Sequence, residues 1–276
     1  MIRITTLVEN TPGEHLALRH EHGLSFFLEV AGRNILFDAG QSDAFLENAK
    51  KLRLDPSSLE FVVLSHGHYD HSGGFRFLAD LPGTRRLVVG KGFFEDKYAA
   101  RNGGYEFLGN DFTRDFLIER SIPFTELWEP AMEIVPGVFV MGSFPRLHED
   151  ESINPRFRLL REGQFVPDPF DDEIMIAIDT PDGIVALLGC SHPGIRNMLD
   201  AAKARLGKSV RAVLGGTHLV EAAEPGLSAS LDYLRSEGIE VVGVSHCTGP
   251  AAMKRLGESG MEYFHNRTGS ALIIPD

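Results

Sequence analysis

The stretch Phe61-Val62-Val63-Leu64-Ser65-His66-Gly67-His68-Tyr69-Asp70-His71-Ser72-Gly73-Gly74 decides how this chain is read. It opens on an apolar, β-branched run of the kind that forms a buried strand, then places three histidines and an aspartate within six positions. If the backbone stays extended as it leaves the strand, residues two apart point the same way about 7 Å apart, so His66 and His68 can close on one ion from two sides. Asp70 and His71 then arrive together at the next turn. The two glycines relax the backbone where side chains converge, and Phe75-Arg76-Phe77-Leu78 reads as a helix start. A lone histidine is ordinarily a hydrogen-bonded core or surface residue. Three histidines and an aspartate crowded behind a buried strand are costly to bury unpaired, and a cation turns that cost into a coordination shell. Imidazole with carboxylate suits zinc, iron or manganese rather than calcium or magnesium.

Outward from this cluster, short apolar runs recur along all 276 residues. Runs at 24–30 and 34–37 flank Ala31-Gly32-Arg33, and runs at 174–178 and 184–188 flank Thr180-Pro181-Asp182-Gly183; both are hairpin signals. The C-terminal half then alternates: helix near 195–205, strand 210–214, helix 227–236, strand 240–244, helix 250–256. That alternation is the mark of parallel strands joined by crossovers, so the class is α/β with mixed sheets. Over 92–169 the pattern weakens, and this part is expected to be a loop-rich insertion over a site within one domain spanning 1–276.

Composition narrows the partners. With 43% hydrophobic and 24% charged residues the chain can bury a core, and no apolar run is long enough to span a bilayer. The 27 basic against 39 acidic side chains give a net charge of −12, which argues against a nucleic-acid or anionic-membrane surface. Two cysteines cannot build a disulfide framework, and Met1-Ile2-Arg3-Ile4-Thr5-Thr6-Leu7 lacks the features of an export signal, so a cytoplasmic protein is expected. Oligomeric state is left open.

His66-Gly67-His68-Tyr69-Asp70-His71 is the H-x-H-x-D-H signature of the metallo-β-lactamase superfamily, which the chain resembles. The resemblance implies an α/β (α+β) four-layer αββα sandwich of two mixed β-sheets between helices. It also implies a dinuclear site at one sheet edge holding two divalent transition-metal ions, zinc foremost, with manganese or iron as alternatives. Leu36-Phe37-Asp38-Ala39-Gly40 matches the family's early aspartate turn, which gives Asp38 the role of supporting metal ligands; the alternative is a local turn after a strand. Leu7-Val8-Glu9-Asn10, Glu21-His22-Gly23-Leu24-Ser25, Leu188-Gly189-Cys190-Ser191-His192-Pro193-Gly194-Ile195, Gly215-Gly216-Thr217-His218-Leu219 and His246-Cys247-Thr248-Gly249 extend the likeness over nearly the whole chain. Together they resemble the subgroup named for 7,8-dihydropterin-6-yl-methyl-4-(β-D-ribofuranosyl)aminobenzene 5′-phosphate synthase, a step of methanopterin biosynthesis.

In the wider family a third histidine completes the first metal, a later aspartate bridges both, and a final histidine completes the second. His246, following the strand near the C-terminus, fits the final position. Where the family often has Gly-Asp after a hairpin strand, this chain has Gly189-Cys190, with His192 two positions later. His192 is assigned to the first metal, with His148 as its rival; Cys190 is either a weaker ligand or a small core residue. Cys247 is read as packing, because adjacent side chains on an extended segment diverge. His218, at a strand end beside glycines, is placed to bind a phosphate or move a proton, and His22 is a weaker candidate for similar work. Asp70 and His218 are the catalytic candidates.

Two reactions compete. A hydrolase would use a metal-activated water against a phosphoester or ester. A synthase of the subgroup's kind would join an aryl amine to a pterin-methyl diphosphate and release diphosphate. Either substrate is a small anion, drawn in by the metals and by Arg156, Arg158 or Lys91. A ligand-binding module without catalysis is the third reading, disfavoured because the whole histidine set is present.

Overall fold

The computed structural model describes residues 1–83 and 85–275. The chain begins with an antiparallel meander, β1 (Ile2–Val8), β2 (Ser25–Val30) and β3 (Arg33–Phe37), and α1 (Ala44–Lys51) crosses over to β4 (Leu59–Val63). Two short helices, α2 (Tyr69–Ser72) and α3 (Phe75–Ala79), lead to β5 (Arg86–Gly90). Next come β6 (Lys97–Arg101), β7 (Gly104–Phe107), α4 (Arg114–Glu119), β8 (Phe124–Leu127), β9 (Ala131–Val135), β10 (Val138–Met141), β11 (Phe157–Arg161) and β12 (Gln164–Pro167). The hairpin β13 (Met175–Thr180) and β14 (Gly183–Leu188) opens the last part. It continues α5 (Ile195–Leu206), β15 (Val210–Gly216), α6 (Glu224–Ser236), β16 (Val241–Ser245), α7 (Pro250–Gly257) and β17 (Ala271–Ile274).

Two mixed sheets lie between helices. The first has the order β17-β1-β2-β3-β4-β5-β8 and the second β16-β15-β14-β13-β10-β9. Strand alternation builds the layers. Phe26, Leu28, Phe37 and Val63 of the first sheet meet Val140, Ile176, Val185 and Leu187 of the second in one buried cluster. Their neighbours face the other way: Phe27, Leu36 and Val62 pack on Phe45, Phe75 and Leu78, while Ala186 and Leu188 pack on Met198, Leu199 and Leu231. Strands buried on both faces read as continuous apolar runs, which is why these were visible in the sequence. None of the described helices is long and apolar enough to cross a membrane.

Residues 92–169, expected as a loop-rich insertion, instead hold seven strands and one helix. β8 extends the first sheet, β9 and β10 the second, and the remaining four form a small antiparallel sheet in the order β12-β11-β6-β7. These strands are four or five residues long, and β7 is exposed throughout, so no sustained period-two pattern announces them. The segment does border the cleft, through Arg101, Leu108, Arg156 and Phe157, but its regular structure was not anticipated.

Candidate metal centre

Loops at the carboxyl ends of parallel strands carry the cluster, where α/β sheets usually bind ligands. Asp38 follows β3, His66 to His71 follow β4, Cys190 and His192 follow β14, His218 follows β15, and His246 and Cys247 follow β16. Four non-glycine residues in these turns hold left-handed backbones: Asp38 (φ +60°), Ser191 (+59°), His218 (+51°) and His246 (+54°). Each conformation costs about 1–2 kcal/mol, and such strain concentrates where side chains must be aimed. Gly74 has ordinary helical φ, so its value is not backbone freedom; a Cβ there would stand 2.0 Å from the Ala39 carbonyl oxygen. The turn after β3 can press on the histidine loop only because that position is bare.

His66, His68 and His192 present three imidazoles whose ligating nitrogens lie within 4.8 Å of one another. His66 Nε2 stands 3.0 Å from His68 Nδ1, while the Nε2 atoms of His68 and His192 are buried without a hydrogen-bond partner among the described residues. A second set centres on Asp70 Oδ2, which lies 3.3 Å from His246 Nε2, 3.2 Å from His22 Nε2 and 3.7 Å from His71 Nε2. His71 Nε2 lies 3.1 Å from His246 Nε2 and 3.2 Å from Cys190 Sγ. Orphaned imidazole nitrogens converging in a buried space are what a divalent ion satisfies, and the donor set of imidazole, carboxylate and thiol suits zinc or iron. The residues fit such an ion.

Supporting contacts hold these donors in place. Asp38 Oδ2 lies 2.6 Å from His71 Nδ1, and its Oδ1 accepts the Ser65 N–H at 2.6 Å. Asn10 Oδ1 lies 2.9 Å from His246 Nδ1, and Glu9 Oε1 accepts the His246 N–H at 2.7 Å. Glu173, wholly buried, accepts the N–H groups of Cys190, Ser191 and His192 at 3.1, 2.5 and 2.9 Å. Asp172 Oδ2 accepts the Gly67 N–H at 2.8 Å, between two of the histidines. Fixing ring orientation and tautomer this way is how outer contacts tune metal sites.

The electrostatics follow from burial. Desolvation pushes His66, His68 and His192 well below the usual imidazole range, and each neighbouring imidazole adds to the effect. His246 falls to about 4 for the same first reason, against the pull of Asp70. Burial alone would lower His71 too, but Asp38 and Asp70 outweigh it and hold the ring at about 9. Burial raises Glu173 to about 7 despite its backbone donors. The Cys190 thiol is driven up by burial and by Cys247.

The structure brings together His66, His68, Asp70, His71, His192 and His246, with Asp38 behind them and Cys190 among them. His218 and Arg156 line the same cleft of about 370 Å³. Three expectations are corrected. His148 is no rival ligand: its Nε2 pairs with Asp200 Oδ2 at 2.8 Å on the helical side. Arg158 does not line the cleft, because it alternates with Phe157 along β11 and only one of the two faces inward; Arg101 of β6 lines it instead. Lys91 lies over the Trp128 ring at 4.8 Å, away from the cluster. Cys247, read as packing, belongs with Cys190 and His246 in a further possible ligand group, and His22 with Asp70 and His246 in another. Glu9, Asp172 and Glu173 were missed. For Asp172 and Glu173 the available signal was Asp171-Asp172-Glu173 abutting the apolar run 174–178, where a solvated charge run is out of place.

With this geometry in hand, comparison places the chain among known proteins. A family model described as the metallo-beta-lactamase superfamily matches residues 18–191. The chain is 31% identical, over 99% of its length and 96% of the relative's, to the 7,8-dihydropterin-6-methyl-4-(beta-D-ribofuranosyl)-aminobenzene-5'-phosphate synthase of Methanocaldococcus jannaschii. The crystal structure of Tm1679, a metal-dependent hydrolase of the beta-lactamase superfamily, superposes with a TM-score of 0.87 at 28% identity, each chain covered in full. Zn(2+)-bound PqqB from Methylobacterium extorquens shares the fold, with a TM-score of 0.55 at 13% identity, over 99% of this chain and 100% of that one.

Proposed function

Because the chain belongs to the metallo-β-lactamase superfamily, we propose that it is a metal-dependent enzyme that transfers an alkyl group from a diphosphate-bearing small molecule to an amine, releasing diphosphate. The observation carrying this reading is one cleft of about 370 Å³ in which His68, His192, Asp70 and His246 face Arg101 and Arg156, two guanidinium groups beside the histidine cluster in a chain of net charge −12. The near full-length likeness to the dihydropterin synthase supports it. His66, His68 and His192 would hold one ion, and Asp70, His71 and His246, with Cys190 in reach, a second. Bound there, divalent ions, zinc foremost, supply Lewis acidity toward phosphoryl oxygen.

The chain's own groups do the rest. Arg101 and Arg156 orient the anion in the cleft, and His22 adds a donor at its mouth. The amine nitrogen forms its bond to the methylene carbon as the carbon–oxygen bond to diphosphate breaks, and the amine gives up a proton. His218 is placed to take it: burial lowers its ring below the usual range, leaving a neutral acceptor, and Glu221 Oε2 lies 3.6 Å from its Nδ1 to balance the charge formed.

The likeness to a metal-dependent hydrolase favours a second reading, with water in place of the amine. One assay separates them. The metal-loaded protein is mixed with a pterin-methyl diphosphate, with and without the ribofuranosyl aryl amine; diphosphate release that needs the amine supports transfer, and release without it supports hydrolysis. Elemental analysis should find about one to two transition-metal equivalents, and full activity in metal-stripped protein would overturn both readings.

A further inference from the structure

A second lobe lies beside the histidine-lined cleft. It encloses about 250 Å³, and His192, His218 and Glu221 line both spaces. The wall between them is built: Arg156 Nη2 holds Glu221 Oε1 at 2.7 Å, and the His192 and His218 rings stand 4.3 Å apart. Whatever sits in the second lobe therefore lies beside His192, one of the imidazoles proposed to hold the first ion.

The lobes differ in charge. Arg101, Arg156 and His22 line the first together with Asp70 and Glu221, so basic and acidic groups meet there. Asp150, Glu151 and Glu221 line the second, and among the described residues no arginine or lysine does. Arg196 spans the two neighbouring carboxylates from behind, at 2.6 Å to Asp150 and 3.3 Å to Glu151, and the first N–H groups of α5 fall on Glu151 at 2.9 and 3.0 Å. The wall is thus charge-compensated, yet each carboxylate offers about four acceptor sites and not all are used. Ser230, 1% exposed, also lines the lobe, and its Oγ has no hydrogen-bond partner among the described residues. An anion would face acidic oxygen there. A purely apolar group would leave a polar wall unpaired. A neutral group rich in N–H donors satisfies it, and the volume, below the roughly 300–1,000 Å³ of drug-sized pockets, admits one small fused ring system.

We propose that this lobe seats the uncharged, amino-substituted heterocycle of the substrate, while the metal-lined lobe seats its phosphates. The assignment rests on the transfer reading, but its test is independent of turnover. The probe is 6-hydroxymethylpterin, titrated by its fluorescence into metal-loaded protein, with inorganic diphosphate as the probe of the other lobe. Ile153→Trp and Ser152→Trp fill the second lobe from a surface loop, so a folding failure in one leaves the other. Each should weaken pterin binding about tenfold or more with metal content and diphosphate affinity unchanged, whereas Arg101→Ala should weaken diphosphate alone. Unchanged pterin affinity in both tryptophan variants, equal loss of both probes, or no pterin binding by the unaltered protein would overturn the assignment. Amine-independent diphosphate release with lobe-dependent pterin binding removes the transfer reading and keeps the lobe. Amine-dependent release with pterin affinity untouched by the tryptophans does the reverse.

Discussion

Asp38 does three jobs with one carboxylate. It orients His71 through Nδ1, accepts the Ser65 N–H, and accepts the Ser65 hydroxyl at 2.8 Å, all from a left-handed turn. Replacing it with asparagine keeps the shape, but turns an acceptor-only group into one whose NH₂ cannot serve both partners. Asp38→Asn should therefore weaken metal binding at the His71 side by about 10–100-fold. Competition with a chelating dye measures this, and an affinity equal to that of the parent chain would show that the carboxylate is dispensable. Asp38 was legible only through the resemblance of Leu36-Phe37-Asp38-Ala39-Gly40 to the family's early aspartate turn; the residues by themselves offered no more than a local turn after a strand. Cys247 was not, since the argument for diverging neighbours assumed extended backbone. A 3₁₀ turn over His246–Thr248, entered through the left-handed His246, swings both side chains to one side. His22 was named as a weaker candidate for phosphate or proton work, but its place beside Asp70 was not foreseen, because nothing local brings the two together, only the packing of one loop on another.

At the scale of elements, the small sheet of β12, β11, β6 and β7 carries a support that no motif announced. Lys97 on β6 is wholly buried and its ammonium sits 2.8 Å from Asp168 and 2.9 Å from Asp172. Asp172 holds Gly67 in the histidine loop; Lys97 also lies 4.8 Å over Phe170, whose ring stacks on His192 at 3.7 Å. One lysine thus braces both arms of the three-histidine set. Lys97→Met leaves two buried carboxylates facing each other, and breaking a buried pair costs about 3–5 kcal/mol. Removing Arg33, whose pair with Glu60 is solvent-exposed, should cost under about 1 kcal/mol. Denaturant midpoints of the two variants test the contrast, which equal shifts would refute. The sequence could not show this because a lysine in a short strand is normally read as an exposed edge charge, and its partners lie 71 and 75 residues away. The long apolar strands, buried on both faces, and the α5 to α7 alternation were legible for the opposite reason: burial itself wrote their pattern.

On the scale of the whole molecule, the donors are divided between the two sheets. The first sheet supplies His66, His68, Asp70 and His71 from the loop after β4, and the second supplies Cys190, His192 and His246 from loops after β14 and β16. The His66, His68 and His192 set and the Asp70, His71 and His246 set each take members from both sides, so an ion bound by either links the sheets at the edge of the shared core. Binding that requires both sheets in register stabilises the folded state and has no counterpart in the unfolded chain. At a free metal concentration 100 times the dissociation constant this adds about 2.7 kcal/mol. For a large domain, with a shift of roughly 2–4 °C per kcal/mol, chelation should lower the melting temperature by about 5–10 °C. His192→Ala combined with His246→Ala removes the two candidate donor imidazoles of the second sheet while leaving the first sheet's loop intact. The melting temperature of that variant should no longer respond to chelator, and should lie near that of the stripped parent chain. A parent protein that melts at one temperature with and without chelator would show that these side chains meet without sharing an ion, and a double variant that still responds would show that the ion does not need His192 and His246.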